Sequence, residues 1–313
     1  MTSKSKETGT PDSRAILHST MMIRNPLLNW SRPSREFIRA ICGLVVLGWS
    51  SIAIAEETVP PGSPEQGLAL QKIVLLGASV TAGFDKSQPF GGPKALQFRL
   101  ANYVDAALPA KREASYTEAN SLLFLSPVET MEKEVTATIA HQPDLVIGLD
   151  SLFWFCYGAN LTAEERLARF EVGLKQLERI HAPIVLGDLP DASAAAGGIL
   201  SRDEIPDPAT IAACNERLKT WAAGRPNVAI IPLAKAMESA MANEQTTIDG
   251  VTWEKGKSGA LLREDHLHPS PNGLAILAVA ALDRAAGFSD SKIPAGAIRH
   301  DIEAISSEGM AKK

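Results

Sequence analysis

Two short segments far apart in the chain hold residue types that suit nucleophilic chemistry. Ser79 sits in Gly77-Ala78-Ser79-Val80-Thr81-Ala82-Gly83, and Asp265 and His268 sit in Arg263-Glu264-Asp265-His266-Leu267-His268-Pro269-Ser270-Pro271. A serine hydroxyl is a poor nucleophile near neutral pH. It needs a base within hydrogen-bond reach, and the base needs a partner that fixes its tautomer. Asp265 and His268 are three positions apart, so one turn supplies both: His268 to take the Ser79 proton, Asp265 to accept from the other ring nitrogen. An imidazole titrates near the working pH and suits proton transfer in either direction. The small residues around Ser79 let it stand at a strand end with helix amides behind it, where an anion or a developing oxyanion is stabilised. The segment is neither a dinucleotide fingerprint nor a P-loop, because the glycine spacing of the first and the Gly-Lys-Ser/Thr of the second are missing. Asp265, His266 and His268 also carry metal-ligand atoms, but no companion His or Cys cluster accompanies them, so neither a metal nor a cofactor is expected.

The elements that must position these residues follow from periodicity. Residues 72–76 (KIVLL) end in Gly77 and read as a buried strand, as do 144–148 (DLVIG), 183–187 (PIVLG) and 227–231 (NVAII), with a weaker strand within 115–125. Helical patterns cover 93–108, 127–141, 162–180, 208–223 and 271–286. Ser126-Pro127-Val128-Glu129 and Thr162 with Glu165 have the form of capping boxes. Short apolar strands alternating with helices predict an α/β fold, a parallel sheet covered on both faces. Function in such sheets sits in the loops beyond the carboxyl ends of the strands. A third loop of that kind is Gly148-Leu149-Asp150-Ser151. It leads into Leu152-Phe153-Trp154-Phe155-Cys156-Tyr157, which holds four of the seventeen aromatic residues. That stretch reads equally as an apolar wall beside a site and as buried packing at the sheet edge.

A Gly-x-Ser turn after the first strand, a Gly-x-Asp turn after a middle strand and Asp-x-x-His-Pro before the last helix resemble the layout of the SGNH (GDSL) hydrolases over about residues 70–286. DHLHPSPNGLAILA is the most specific piece. The resemblance implies a three-layer α/β/α sandwich of flavodoxin-like type, about five parallel strands, and ester hydrolysis through an acyl-enzyme with Ser79 as nucleophile, His268 as base and Asp265 as its orienter. It also implies an oxyanion hole built from the serine amide, a glycine amide after the second strand and an asparagine side chain. The chain departs there. No glycine occurs between Gly92 and Gly148, which leaves Asn120 and Ser121 as the matching donors, and the asparagine position is Asp150. An ionised carboxylate has no donor and repels an oxyanion, whereas burial that keeps Asp150 protonated restores one.

Residues 41–55 (ICGLVVLGWSSIAIA) are apolar and uncharged, follow Arg32, Arg35 and Arg39, and end in a small-x-small site. They read as a signal peptide, with export to the periplasm or cell exterior and Met21 or Met22 as an alternative start. The expected organisation is an N-terminal extension and signal peptide at 1–55, a linker at 56–68, one hydrolase-like domain at 69–288 and a polar, loosely held tail at 289–313. The 313 residues carry 31 basic and 36 acidic groups, a formal net charge of −5; residues 1–55 hold seven of the basic and three of the acidic ones, so cleavage makes the remainder more negative. That balance argues against a general nucleic-acid binder. After cleavage, insertion in a membrane is not expected. Cys156 and Cys214 remain, as a disulfide or as two buried thiols. The leading expectation is an exported serine esterase acting on a small-molecule or glycan ester, such as an O-acetyl group. The alternatives are an altered or inactive domain that binds a carbohydrate or other ligand, and a phosphoester or metal hydrolase.

Overall fold

The computed structural model describes residues 69–89 and 91–312. The predicted extension, signal peptide and linker lie outside them. Five short parallel strands form the central sheet: β1 (Ile73–Leu75), β2 (Tyr116–Thr117), β3 (Leu145–Gly148), β4 (Ile184–Gly187) and β5 (Val228–Ile231), in the order β2-β1-β3-β4-β5. β-branched and leucine side chains alternate between its faces. Leu145 and Ile147 of β3 and Val185 of β4 enter one core, and Val146, Ile184 and Leu186 enter the other.

The helices are α1 (Ser79–Ala82), α2 (Pro93–Leu96), α3 (Leu100–Ala107), α4 (Pro127–Ala140), α5 (Phe153–Cys156), α6 (Ala163–Leu177), α7 (Pro208–Ala223), α8 (Leu233–Met241), α9 (Pro271–Ala286) and α10 (Ile302–Ala311). α3, α9 and α10 cover one face of the sheet, and α4 to α7 the other. This is the three-layer α/β/α sandwich, with five parallel strands in the flavodoxin-like order. α9 is buried along most of its length, and its run of alanines lets it lie close to its neighbours. The Ser270 hydroxyl caps it by accepting from the Gly273 amide at 3.1 Å. Asp207 caps α7, and Thr162 with Glu165 forms the expected capping box on α6.

Strand order creates the place for a site. The chain leaving β1 goes to α3 on one face, and the chain leaving β3 goes to α5 and α6 on the other. The two loops diverge at a topological switch point, which opens a crevice at the carboxyl ends of β1 and β3. Ser79 and Asp150 stand there.

Three expectations need correction. Residues 93–108 form two helices, because Arg99 is extended (ψ 123°). The break is satisfied by side chains that periodicity cannot show: Asn102 Nδ2 donates to the Leu96 carbonyl at 2.9 Å, and the Tyr103 hydroxyl to that of Gln97 at 3.1 Å. Ser126 precedes α4 without capping it through its side chain. Of the two alternatives for the cysteines, the structure shows the buried thiols: Cys156 and Cys214 are both free. Residues 289–313 are not a loose tail. α10 packs on α3 and α9, Ile305 is fully buried, and the Arg299 amide donates to the Ala107 carbonyl at 2.8 Å.

A hairpin that the sequence reading passed over, β6 (Thr246–Ile248) and β7 (Val251–Trp253), follows α8. Its turn is Asp249-Gly250, both at positive φ (45° and 85°), as a tight two-residue hairpin turn requires. No helix among the described residues is long and apolar enough to cross a membrane.

The packing of α10 predicts that Ile305→Ala costs about 2–5 kcal/mol, the usual range for emptying a buried isoleucine site. Urea unfolding measures this, and a variant as stable as the parent would show that residues 289–313 do not belong to the core.

Candidate active site

The β1–α1 turn and the turn before α9 meet although they lie 189 residues apart. His268 Nε2 is 2.9 Å from Ser79 Oγ, and His268 Nδ1 is 2.9 Å from Asp265 Oδ2. Asp265 Oδ1 accepts from the amides of Leu267 (3.1 Å) and His268 (2.9 Å), so the carboxylate is held by its own turn. Burial works to raise the Asp265 carboxyl, but the hydrogen bond and charge of His268 with the two amides outweigh it and bring it to about 2. An ionised carboxylate only accepts, so Nδ1 carries the proton and Nε2 is left to receive the Ser79 hydroxyl. The arrangement can therefore draw a proton from Ser79 Oγ.

Two residues that sequence reasoning missed hold the imidazole. Phe84 stacks on the His268 ring with centroids 4.0 Å apart and planes 10° from parallel. Arg263 donates to the Phe84 carbonyl at 2.6 Å, pairs with Asp85 at 3.2 Å and lies over the Phe98 ring. Arg263 thus fastens the loop that carries Phe84 to the turn that carries His268, and no local pattern announces this. His266, between the catalytic candidates, is exposed and at positive φ (59°). It reverses the chain, while the side chains of Asp265 and His268 are buried.

The predicted oxyanion residues are placed differently. The Asn120 amide donates to the Gly77 carbonyl at 2.9 Å, and its side-chain oxygen accepts from the Leu122 amide at 2.9 Å. Asn120 is exposed and Ser121 half-buried, and neither lines the cavity beside Ser79. Asp150 does line it. Its carboxylate accepts from the Val80 amide at 2.8 Å, the Thr81 amide at 3.4 Å and the Thr81 hydroxyl at 2.6 Å, so it tethers the first turn of α1. The Ser79 amide makes no hydrogen bond among the described residues and remains available to an oxyanion. Burial pushes the Asp150 carboxyl up, against the opposing pull of those donors.

A second carboxyl lies behind the same turn. Glu134 of α4, 4 % exposed, accepts from the Gly77 amide at 2.9 Å, and its other oxygen has no partner among the described residues. Burial, with the nearby Asp150 and Glu118 carboxylates adding to it against the Gly77 amide, pushes Glu134 up to about 9. Gly77 itself is at φ +138°, and a Cβ there would lie 2.4 Å from Asp150 Oδ1, so only glycine lets the carboxylate approach the turn.

The aromatic stretch divides between its two readings. Phe153 and Trp154 line the cavity, whereas Phe155 and Tyr157 are fully buried. Arg166 and Arg169 hold the end of α5 through the carbonyls of Cys156, Phe155 and Tyr157.

Glu134 ionises in the unfolded chain near 4.5 but in the fold only near 9, so its contribution to stability is full at low pH and declines as pH rises between those values. Glu134→Gln removes that decline. Its melting temperature relative to the parent should rise steadily from pH 5 to pH 9, and a constant difference would contradict a neutral Glu134.

No protein-family model and no curated protein matches this sequence. Solved structures similar to the chain include a lipase/acylhydrolase from Enterococcus faecalis, at 21% identity and TM-score 0.44 over 69% of this chain and 94% of that one. They include an acetyl xylan esterase from Geobacillus stearothermophilus, at 20% identity and TM-score 0.43 over 71% and 96%. An alpha/beta hydrolase enzyme from the metagenome of Lake Arreo matches at 16% identity and TM-score 0.42 over 69% and 95%. At these scores the likenesses carry nothing further. The chain's own strand order, with Ser79 after β1 and Asp265-x-x-His268 before α9, has the layout that its resemblance to the SGNH hydrolases implies.

Proposed function

We propose that this protein is an exported serine esterase that cleaves a carboxylic ester through Ser79, His268 and Asp265. The observation that carries the reading is the unbroken chain of hydrogen bonds from Ser79 Oγ through His268 to Asp265 at the switch point of the sheet. Export rests on the arginine-flanked apolar segment 41–55 alone.

In this reading Ser79 Oγ attacks the ester carbonyl carbon while His268 Nε2 takes its proton. The carbonyl π electrons move onto oxygen, and the Ser79 amide donates to that oxyanion. The tetrahedral intermediate collapses, the bond to the alkoxy oxygen breaks, and His268 returns the proton to the departing alcohol. Water, deprotonated in turn by His268, attacks the acyl carbonyl carbon; the bond to Ser79 Oγ breaks, His268 returns the proton to Oγ, and the acid leaves. Asp265 accepts from Nδ1 throughout and stabilises the imidazolium. Phe84 keeps the ring from rotating out of line.

Asp150 favours a second reading, a domain that binds a carbohydrate or other ligand with little turnover. If ionised, its carboxylate brings negative charge to the turn that carries Ser79 and offers no donor. Asparagine fits the same contacts. Its oxygen can accept from the Val80 amide, and its nitrogen can donate to the Thr81 hydroxyl.

Hydrolysis of p-nitrophenyl esters by the parent, Ser79→Ala, His268→Ala and Asp150→Asn proteins separates the readings. The serine and histidine variants should lose at least about a thousandfold in kcat. Asp150→Asn should gain roughly tenfold, part of what one oxyanion donor typically contributes. Full activity in either of the first two variants overturns the assignment. A fall in Asp150→Asn gives Asp150 a positive part in the chemistry, and a folded parent without turnover favours the binding domain.

A further inference from the structure

Cys156, the last residue of α5, and Cys214, on α7, lie in one apolar core on the same face of the sheet, and both are 0 % exposed. α5 packs against α7 there, and the Cys156 thiol donates a hydrogen bond to the sulfur of Cys214. The chemistry at Ser79 uses neither thiol.

Two guanidinium groups hold the chain around this pair. Arg166, itself buried, donates to the carbonyls of Cys156 at 2.6 Å, Asp203 at 3.2 Å and Leu161 at 3.3 Å. Arg169 donates to the carbonyls of Phe155 at 3.1 Å and Tyr157. Neither arginine pairs with a carboxylate among the described residues. A buried cation without an anion is costly, and a thiolate beside it offsets that cost. The hydrogen bond from Cys156 and the Arg166 charge, against burial and Glu171, hold the Cys214 thiol below its ordinary value. Cys214 is therefore the nucleophile of the pair, since the thiolate and not the thiol attacks a disulfide.

We propose that Cys156 and Cys214 are a redox site, at which thiol–disulfide exchange with a low-molecular-weight disulfide joins the two sulfurs and pins the end of α5 to α7. The Cys214 thiolate attacks one sulfur of the oxidant, whose S–S bond breaks, and one thiolate leaves. Cys156 gives its proton to that thiolate. Its own sulfur then attacks the Cys214 sulfur and displaces the other half of the oxidant, which takes a proton from water. Two cysteine thiols are oxidised to one disulfide, and the oxidant is reduced to two thiols. Both sulfurs are covered in the finished fold, so the oxidant must meet them while the chain folds. α5 carries Phe153 and Trp154 to the cavity beside Ser79, so the bond fixes one wall of that cavity without touching Ser79 or His268. The inference stands apart from the esterase reading.

The test is refolding of the reduced, unfolded full chain in a mixture of oxidised and reduced glutathione. Cys42→Ser is introduced throughout, which leaves these two cysteines alone in the chain. The product should be lighter than the reduced protein by two hydrogen atoms. Peptide mapping should find Cys156 joined to Cys214, with neither alkylated by iodoacetamide after denaturation. A bond across the loop from 156 to 214 restricts the unfolded chain, so the oxidised protein should melt on the order of 10 °C above its dithiothreitol-reduced form. A Cys214→Ala protein should melt alike under both conditions, and the parent's mass and peptide map decide the matter if that variant does not fold. Two alkylatable thiols with an unchanged mass, glutathione retained on either cysteine, or a joined pair that melts no higher than the reduced form overturns the proposal.

Discussion

The contact between Ser79 Oγ and His268 Nε2, 2.9 Å long, joins residues 189 positions apart in the chain. Everything else at the site serves it. The sheet order supplies the crevice in which the hydroxyl stands. α9, capped by Ser270 and buried along most of its length, fixes the turn that presents the imidazole. Asp265 sets the tautomer from within that turn, while Phe84 and Arg263 hold the ring plane from outside it. A hydroxyl and an imidazole brought together this way have their orientation settled before any substrate arrives, and such preorganisation can account for much of a catalyst's advantage.

Two buried carboxyl groups, Asp150 and Glu134, flank the turn that carries Ser79, and both are pushed upward by burial. They act as acceptors for backbone amides around that turn. Geometry at Ser79 is thus maintained by groups that would oppose negative charge on a substrate if both were ionised. This tension between holding the turn and accepting an oxyanion distinguishes the site from one in which a neutral amide side chain does both.

Much of this was legible in the sequence, for local reasons. Ser79 follows a strand that its apolar run announces, and Asp265 and His268 share one turn, so spacing alone suggests their partnership. The strands at 144–148, 183–187 and 227–231 read correctly because burial on both faces makes each a continuous apolar run. Other parts were hidden because their causes are distant. Phe84 and Arg263 act across some 180 residues, and the break at Arg99 depends on which side chains reach the open carbonyls. The hairpin was available in Asp249-Gly250 between Thr-Thr-Ile and Val-Thr-Trp. α10 was concealed by its polar surroundings, since a few apolar positions suffice to dock a short helix.

The most direct measurement is peptide mapping by mass spectrometry after exposure of the folded protein to an alkyl fluorophosphonate, a reagent that phosphonylates an activated serine and mimics the tetrahedral intermediate. A single adduct on Ser79, absent from the His268→Ala protein, is the predicted result. A folded protein that stays unmodified, or that carries the adduct on another residue, would contradict the account.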